Sequence, residues 1–348
     1  MFEKNKITNY QKIAIINTAF IGDVLLSIFL AQIIKNIHPN SNIYFVISSK
    51  LAELLSCVQA IDRIIVYDKH DKDKGFKGFI SIIQKIRQEK IELILAPHRS
   101  ARTSLISLLA KPVLSVSYDT SSLKFFYKRV VKYHYRYHEI ERNFELLKPF
   151  EDVPLPLDLP KVEFVFPNNL HKKIAPFVGE FFEKKKIIII APGSVWKTKR
   201  WLPERFQSLA KDLQNNGYKV VLIGSDFDRF LCEEIAKASG ALNLAGKTNL
   251  VESLYLIKHS SLLITNDSSP THLASLVDCP CITIYGPTIP EFGFYPRSKK
   301  SRIIQVDNLN CKPCSIHGYN RCPLKHHNCM RLISEEKVLE ASKELLSA

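Results

Sequence analysis

Short apolar runs alternate with amphipathic stretches along the whole chain. In the first half, Lys12–Ile16, Ile43–Ile47, Arg63–Tyr67, Leu93–Ala96 and Val113–Val116 look like strands. Between them, Val24–Ile34, Leu51–Cys57, Phe79–Gln88 and Ser104–Leu109 carry helical spacing. The stretch from Glu151 to Pro167 breaks the rhythm with Pro154, Pro156, Pro160 and Pro167, and reads as an inter-domain linker or an edge segment. A second series follows, with strands at Lys186–Ala191, Lys219–Ile223, Leu262–Thr265 and Cys281–Tyr285. Its helices are Phe206–Gln214, Phe230–Ser239, Leu250–Ile257 and His272–Leu276. This alternation predicts βαβ units and a parallel sheet in each half, an α/β fold. The halves read as two copies of one architecture facing each other across a cleft. The domains expected are 1–165 and 166–330, with a C-terminal helix over 331–348.

Composition adds a charge argument. Forty-nine Lys and Arg against 34 Asp and Glu give +15 over 348 residues. That excess favours acidic partners, whether nucleic acid, an anionic membrane surface or phosphorylated small molecules; a solvated, lysine-rich surface would look the same. The opening Met1-Phe2-Glu3-Lys4-Asn5-Lys6 has no apolar core of a signal peptide. The apolar run Val24 to Ile34 is too short to span a bilayer and contains Gln32. A cytoplasmic protein is expected, its eight cysteines mostly reduced.

Ligands of open α/β sheets bind beyond the carboxyl ends of the strands. The strongest candidate there is Thr265-Asn266-Asp267-Ser268-Ser269-Pro270-Thr271-His272-Leu273, which leaves the strand Ser261–Ile264 and enters a helix. Ser269 suits an N-cap and Pro270 the first helical turn. Free N–H groups and the positive dipole end there suit a phosphate, with Asp267 and His272 bracketing it. After the first strand, Gly22 allows a tight turn and Asp23 begins a helix, a position that capping alone would also explain. After the fourth, Arg99 and Arg102 are expected in the same cleft as Asp23; Arg at a helix start opposes the dipole, which favours an anion-binding role. Pro192-Gly193-Ser194 precedes Lys197, Lys199 and Arg200, cations set between Trp196 and Trp201, a pattern suited to a phosphate beside a flat ring. Asp226 and Asp228 are candidates for ribose hydroxyls. No GxGxxG and no GxxxxGK[ST] is present, so neither a dinucleotide reductase nor a P-loop NTPase is supported.

Two further stretches stay open. Cys311-x-x-Cys314 with Cys322 and Cys329 could hold structural zinc or an Fe–S cluster, form a local disulfide, or remain free thiols. Leu123–Arg142 interleaves Lys124, Lys128, Arg129, Lys132, Arg136 and Arg142 with phenylalanines and tyrosines. Nucleic acid, an anionic leaflet, or a solvated strand–loop–strand with aromatics in the core would each account for it.

The chain resembles the bacterial lipopolysaccharide heptosyltransferases. The resemblance rests on Asn266-Asp267-Ser268-Ser269-Pro270-Thr271-His272-Leu273-Ala274 with Tyr285-Gly286-Pro287-Thr288, on Pro192-Gly193-Ser194 with Lys199-Arg200-Trp201 and Pro203-Glu204-Arg205-Phe206, and on Gly22-Asp23-Val24-Leu25-Leu26. The closing Cys322-Pro323-Leu324-Lys325-His326-His327-Asn328-Cys329-Met330 is similar to the heptosyltransferase II branch more than to the I branch. The resemblance implies a GT-B fold of two Rossmann-like domains, acceptor in the first and nucleotide sugar in the second. It implies inverting transfer of L-glycero-D-manno-heptose from ADP-heptose to the lipopolysaccharide inner core, as the second heptose. Asp23 matches the family's catalytic base, Lys199 the lysine on the donor phosphate, and Asp267 the aspartate on heptose hydroxyls. Ser268 and Ser269 match the backbone N–H groups under the diphosphate, with Ser194, His272 and Asp228 completing the donor set. Two departures stand out: Ser269 and Lys325 each replace a usual glycine.

The same resemblance sets the expected partners. Lys199 and the helix starting near Ser269 could neutralise the leaving diphosphate, in keeping with transfer that needs no metal cofactor. The acceptor would be lipid-linked and Kdo-containing, met at the cytoplasmic face of the inner membrane, with Arg99, Arg102 and Leu123–Arg142 as contacts and no nucleic acid. The alternatives are a related transferase or epimerase using another nucleotide sugar, and a basic protein that docks nucleic acid or membrane.

Overall fold

The computed structural model describes residues 5–154, 156 and 158–347. Met1–Lys4 at the N-terminus, Leu155 and Leu157 of the proline-rich stretch, and Ala348 at the end of the expected C-terminal helix lie outside the described residues. The chain divides into two compact units, Met1–Val165 and Phe166–Ala348.

The first unit has strands β1 (Lys12–Ile16), β2 (Asn42–Ile47), β3 (Arg63–Val66), β4 (Leu93–Leu95), β5 (Leu114–Tyr118) and β6 (Arg129–Val131). Its helices are α1 (Ile21–Ile37), α2 (Ala52–Ser56), α3 (Gly75–Gln88), α4 (Ala101–Ala110) and α5 (Glu139–Glu145). The second has β7 (Ile187–Ala191), β8 (Lys219–Leu222), β9 (Leu242–Asn243), β10 (Leu262–Asn266), β11 (Cys281–Tyr285) and β12 (Ser301–Gln305). With them go α6 (Leu170–Val178), α7 (Pro203–Asn215), α8 (Arg229–Ser239), α9 (Leu250–Lys258), α10 (Ser269–Val277), α11 (Asn328–Arg331) and α12 (Glu335–Ser347).

The two sheets run β3-β2-β1-β4-β5-β6 and β12-β11-β10-β7-β8-β9. Counted from its own first strand, each is the order 3-2-1-4-5-6, parallel throughout. This is the doubly wound Rossmann arrangement. The winding reverses between β1 and β4 in one unit and between β7 and β10 in the other, which opens a crevice at their carboxyl ends.

Central strands buried on both faces need continuous apolar runs, and β7, Ile-Ile-Ile-Ile-Ala, is buried at every position. Helix α1 is buried without a break from Val24 to Ile34 and packs on α5, so it is apolar all round rather than amphipathic. In the second unit, α12 closes the core: Val338, Ala341 and Leu345 join Phe206, Leu209 and Trp201. The proline-rich stretch is bonded to the first unit. Phe164 bridges Val58, and the Val165 N–H donates to the Cys57 carbonyl at 2.7 Å.

Candidate active site

In the first unit, Asp23 lies in the first turn of α1. That helix already begins at Ile21, so Gly22 sits inside its first turn and outside the positive-φ region, not at the sharp turn expected there. The bend is shaped by Asn17 instead. Its Nδ2 donates to the Asp23 carbonyl (3.2 Å) and to Ser27 Oγ (3.1 Å), and its Oδ1 accepts from the Ala19 N–H (3.3 Å).

The helix dipole favours a carboxylate at Asp23, yet its carboxyl is pushed up to about 7. Burial is the main cause and the Glu139 carboxylate adds to it, while Arg99 and Arg142 pull the other way. Glu139, brought in by α5, is held by Arg142 Nη1 at 2.9 Å and by the Tyr133 hydroxyl at 3.3 Å. Burial raises its carboxyl as well. The guanidinium of Arg99 lies 4.0 Å over the Tyr133 ring and donates to Thr120 Oγ1 at 3.3 Å. Arg102 points to the Tyr67 hydroxyl at 2.8 Å. Lys69, after β3, donates to the Thr18 carbonyl at 2.8 Å. His98 meets Thr18 and Thr103 hydroxyls, and burial, aided by Lys69 and Arg99, pushes its imidazole down to about 4, so it is neutral at pH 7.

In the second unit, Lys199 Nζ is 2.6 Å from Asp267 Oδ2 and 3.3 Å from the Asp267 carbonyl. Thr288 donates to the same carboxylate oxygen at 2.7 Å. Asn266 ties the neighbouring turns together, donating to the Pro192 carbonyl at 2.7 Å and accepting from the Trp201 N–H at 3.0 Å. Helix α10 begins at Ser269, so Ser268 holds the cap position; its side chain reaches back to the Asn266 carbonyl and does not cap. Pro270 has no N–H and the Thr271 N–H donates to the Ser268 carbonyl at 3.1 Å, so the backbone N–H groups of Ser268 and Ser269 are the donors left at this helix start. Ser269 lies outside the left-handed region, so a serine fits where the family's usual glycine is missing. Lys325, by contrast, has φ 63°, a conformation that costs a non-glycine residue roughly 1 kcal/mol.

His272 is buried on α10, and burial pushes it down to about 4, so its ring is neutral. Among the described residues its Nδ1 has no hydrogen-bond partner. Ser194 is buried, and its carbonyl accepts from Arg200 Nε and Nη2. Asp228 caps its own turn: its Oδ2 accepts the N–H and hydroxyl of Ser225, and Arg200 lies 3.7 Å from its Oδ1. That carboxylate crosses directly over Gly193, where a Cβ would stand 2.3 Å from it, so only glycine fits.

Trp201 is not a ligand platform. Trp201 is fully buried, its Nε1 donating to the Ile333 carbonyl and its ring edge-on to Phe206. It is a core residue, because the chain turns inward after Arg200 to start α7. Trp196 alone stays near the surface, stacked with His317.

The four clustered cysteines do not pair with one another. All are free thiols, and among the described residues no group of three or more His, Cys, Asp or Glu is arranged to hold a metal ion. Their segment instead braces Lys199. The Tyr319 carbonyl accepts from the Thr198 N–H (3.0 Å) and hydroxyl (2.8 Å), and His327 Nε2 meets the Thr198 carbonyl at 2.8 Å. Cys314, Cys322 and Cys329 line a small cavity beneath these residues. Sequence reasoning missed Glu139, Lys69 and the Thr198–Tyr319–His327 brace. The only local trace of Glu139 is its i,i+3 spacing to Arg142.

Known proteins resemble this chain in sequence and in fold. The profile of Glycosyltransferase family 9 (heptosyltransferase) matches residues 79–322. Lipooligosaccharide heptosyltransferase 2 of Haemophilus influenzae is 27% identical, over 97% of this chain and 100% of its own. Among solved structures, a family 9 glycosyl transferase from Veillonella parvula superposes with TM-score 0.86 at 22% identity, over 97% of this chain and 98% of its own. Escherichia coli ADP-heptose LPS heptosyltransferase II superposes with TM-score 0.78 at 23% identity, over the same shares of the two chains. The chain belongs to glycosyltransferase family 9, the heptosyltransferases, and is a glycosyltransferase of GT-B fold.

Proposed function

We propose that this chain transfers L-glycero-D-manno-heptose from ADP-heptose to the lipopolysaccharide inner core as the second heptose, with inversion and without a metal cofactor. The observation that carries the reading is the Lys199 ammonium set 2.6 Å from Asp267 at the start of α10. A diphosphate seated there meets the lysine and the helix N–H groups together, and these neutralise it as it leaves. Asp267 then engages heptose hydroxyls, Ser268 and Ser269 supply N–H groups, and His272 offers a neutral ring nitrogen. Ser194 and Asp228 lie toward the nucleotide end. The related E. coli enzyme whose name specifies ADP-heptose supports the choice of donor.

In the transfer, an acceptor hydroxyl oxygen forms a bond to the anomeric carbon while the bond from that carbon to the diphosphate oxygen breaks. The hydroxyl proton passes to the carboxylate of Asp23 and the bonding electrons leave with ADP. A single displacement inverts the anomeric centre. Arg99 and Arg102 contact the acidic Kdo sugars of a lipid-linked acceptor at the cytoplasmic face of the inner membrane. Among the described residues no helix is long and apolar enough to cross a membrane, which suits peripheral attachment.

The test is a transfer assay with ADP-heptose or UDP-sugars on acceptors bearing no heptose or one, with and without a chelator. Transfer is expected only from ADP-heptose, to the acceptor with one heptose, unaffected by the chelator. Preference for the heptose-free acceptor would assign the first heptose, and turnover of a UDP-sugar alone would replace the donor.

A further inference from the structure

One rim of the first unit has no role in the transfer chemistry. Between residues 111 and 137 the chain carries six Lys or Arg and a single carboxylate, Asp119, whose Oδ1 is engaged by the Tyr133 N–H at 2.9 Å. Apolar side chains protrude among these cations: Phe125 is 73% exposed, Val113 64% and Val130 47%.

The fold gathers them. Lys128 pins its segment to the turn before β5, donating from its backbone N–H to Ser115 Oγ (3.2 Å) and from its ammonium to the carbonyls of Pro112 (3.0 Å) and Val113 (2.8 Å). The 3-10 turn Lys124–Phe126 packs on α4. Strand β6 pairs with β5 and ends the sheet, so its outer edge stays open.

An edge strand commonly carries cations that discourage pairing with another strand, but that does not explain projecting phenylalanine and valine. Single-stranded nucleic acid uses flat rings as stacking platforms. Here the most exposed rings pack edge-on on neighbouring rings, Phe125 on Phe126 at 4.6 Å and Tyr135 on Tyr133 at 5.0 Å, and Val113 and Val130 offer no stacking. An anionic bilayer uses both features: apolar tips enter the boundary between headgroups and acyl chains, and cations meet lipid phosphates.

We propose that the rim formed by α4, the Lys124–Phe126 turn and β6 docks the chain on an anionic lipid bilayer. Its purpose rests on the lipid-linked acceptor of the proposed function; the docking itself needs no sugar. The full chain is sedimented with vesicles of phosphatidylglycerol and phosphatidylcholine, and with phosphatidylcholine alone. Binding is expected only to the anionic vesicles, weakening as salt rises. K124S/K132S should bind about 30-fold more weakly, the effect of two surface cations. F125S/V130S should lose about tenfold. Both variants should keep the wild-type melting temperature. The proposal fails if the wild type ignores anionic vesicles, or if the variants bind them as well as the wild type. It also fails if single-stranded nucleic acid is bound more tightly and loses affinity in the same variants. Transfer to a delipidated acceptor tests the proposed function separately, so the two can fail independently.

Discussion

The two units share one strand order yet set their charged residues in opposite places. In the first, an acid follows the first central strand and a base the fourth, Asp23 after β1 and Arg99 after β4. In the second, the base follows the first and the acid the fourth, Lys199 after β7 and Asp267 after β10. The pairs behave differently. Lys199 and Asp267 close to 2.6 Å. Arg99 instead lies on Tyr133, and Asp23 is left half-buried near a second carboxylate, Glu139. A carboxylate with a lysine partner is suited to holding a ligand; one deprived of such a partner and crowded by like charge is suited to taking up a proton near neutral pH. The scaffold is common to both, and side chains arriving from other elements set the division of labour.

The sharpest way to break this contrast is Asp23→Asn. A fall in kcat of about 10²–10⁴-fold is expected with ADP affinity retained, and near-wild-type turnover would remove Asp23 as the base. The wild-type kcat/KM should rise with pH up to about 7, because the base must lose its proton. Stability runs the other way. The folded carboxyl binds its proton more tightly than the unfolded one, so this stabilisation is whole below the ordinary carboxylate range and fades as pH climbs to about 7. Asp23→Asn should therefore stabilise the fold at pH 8, by roughly 2 kcal/mol allowing for solvent at this half-buried group and read as a higher melting temperature, and not at pH 4.

Next comes Lys199→Ala. Losing a charge-assisted contact should weaken ADP binding about 10- to 100-fold by calorimetry. It also strands the Asp267 carboxylate, so the melting temperature should fall. Unchanged ADP affinity would take Lys199 out of the donor site. Glu139→Gln sharpens the comparison more gently: with the like charge gone, the acid limb of the pH–rate profile should move to lower pH. A limb that stays put would mean burial alone holds Asp23 high. The smallest effect is expected from Ser269→Gly, which restores the family's usual residue. Since Ser269 already sits in helical backbone, ADP affinity should change by less than about threefold while helix stability drops by up to about 1 kcal/mol.

Much of the frame is visible in the letters. Isoleucine runs such as β7 announce buried parallel strands, and the prolines at Pro203 and Pro270 mark helix starts. The strands β6, β9 and β12 were not predicted; they are edge strands or very short, half exposed, and lack a continuous apolar run. Helix α5 was hidden because it buries Glu139, Arg142, Asn143 and Glu145 alongside its apolar residues, which no amphipathic pattern anticipates. Trp201 was misplaced because a tryptophan beside cations looks the same whether it stacks on a ligand or enters the core.

The sequence by itself determined the alternation that makes two Rossmann-like units, the family, and the turns where charged groups would stand. Those follow from local spacing, which is written in neighbouring residues. Only the tertiary structure decided which charges meet. Asp23 and Glu139 are separated by more than a hundred residues, and Thr198 and Tyr319 by 121. Burial and Coulomb forces depend on distance in space, so the proton affinity of Asp23 and the bracing of Lys199 exist only once the chain has folded.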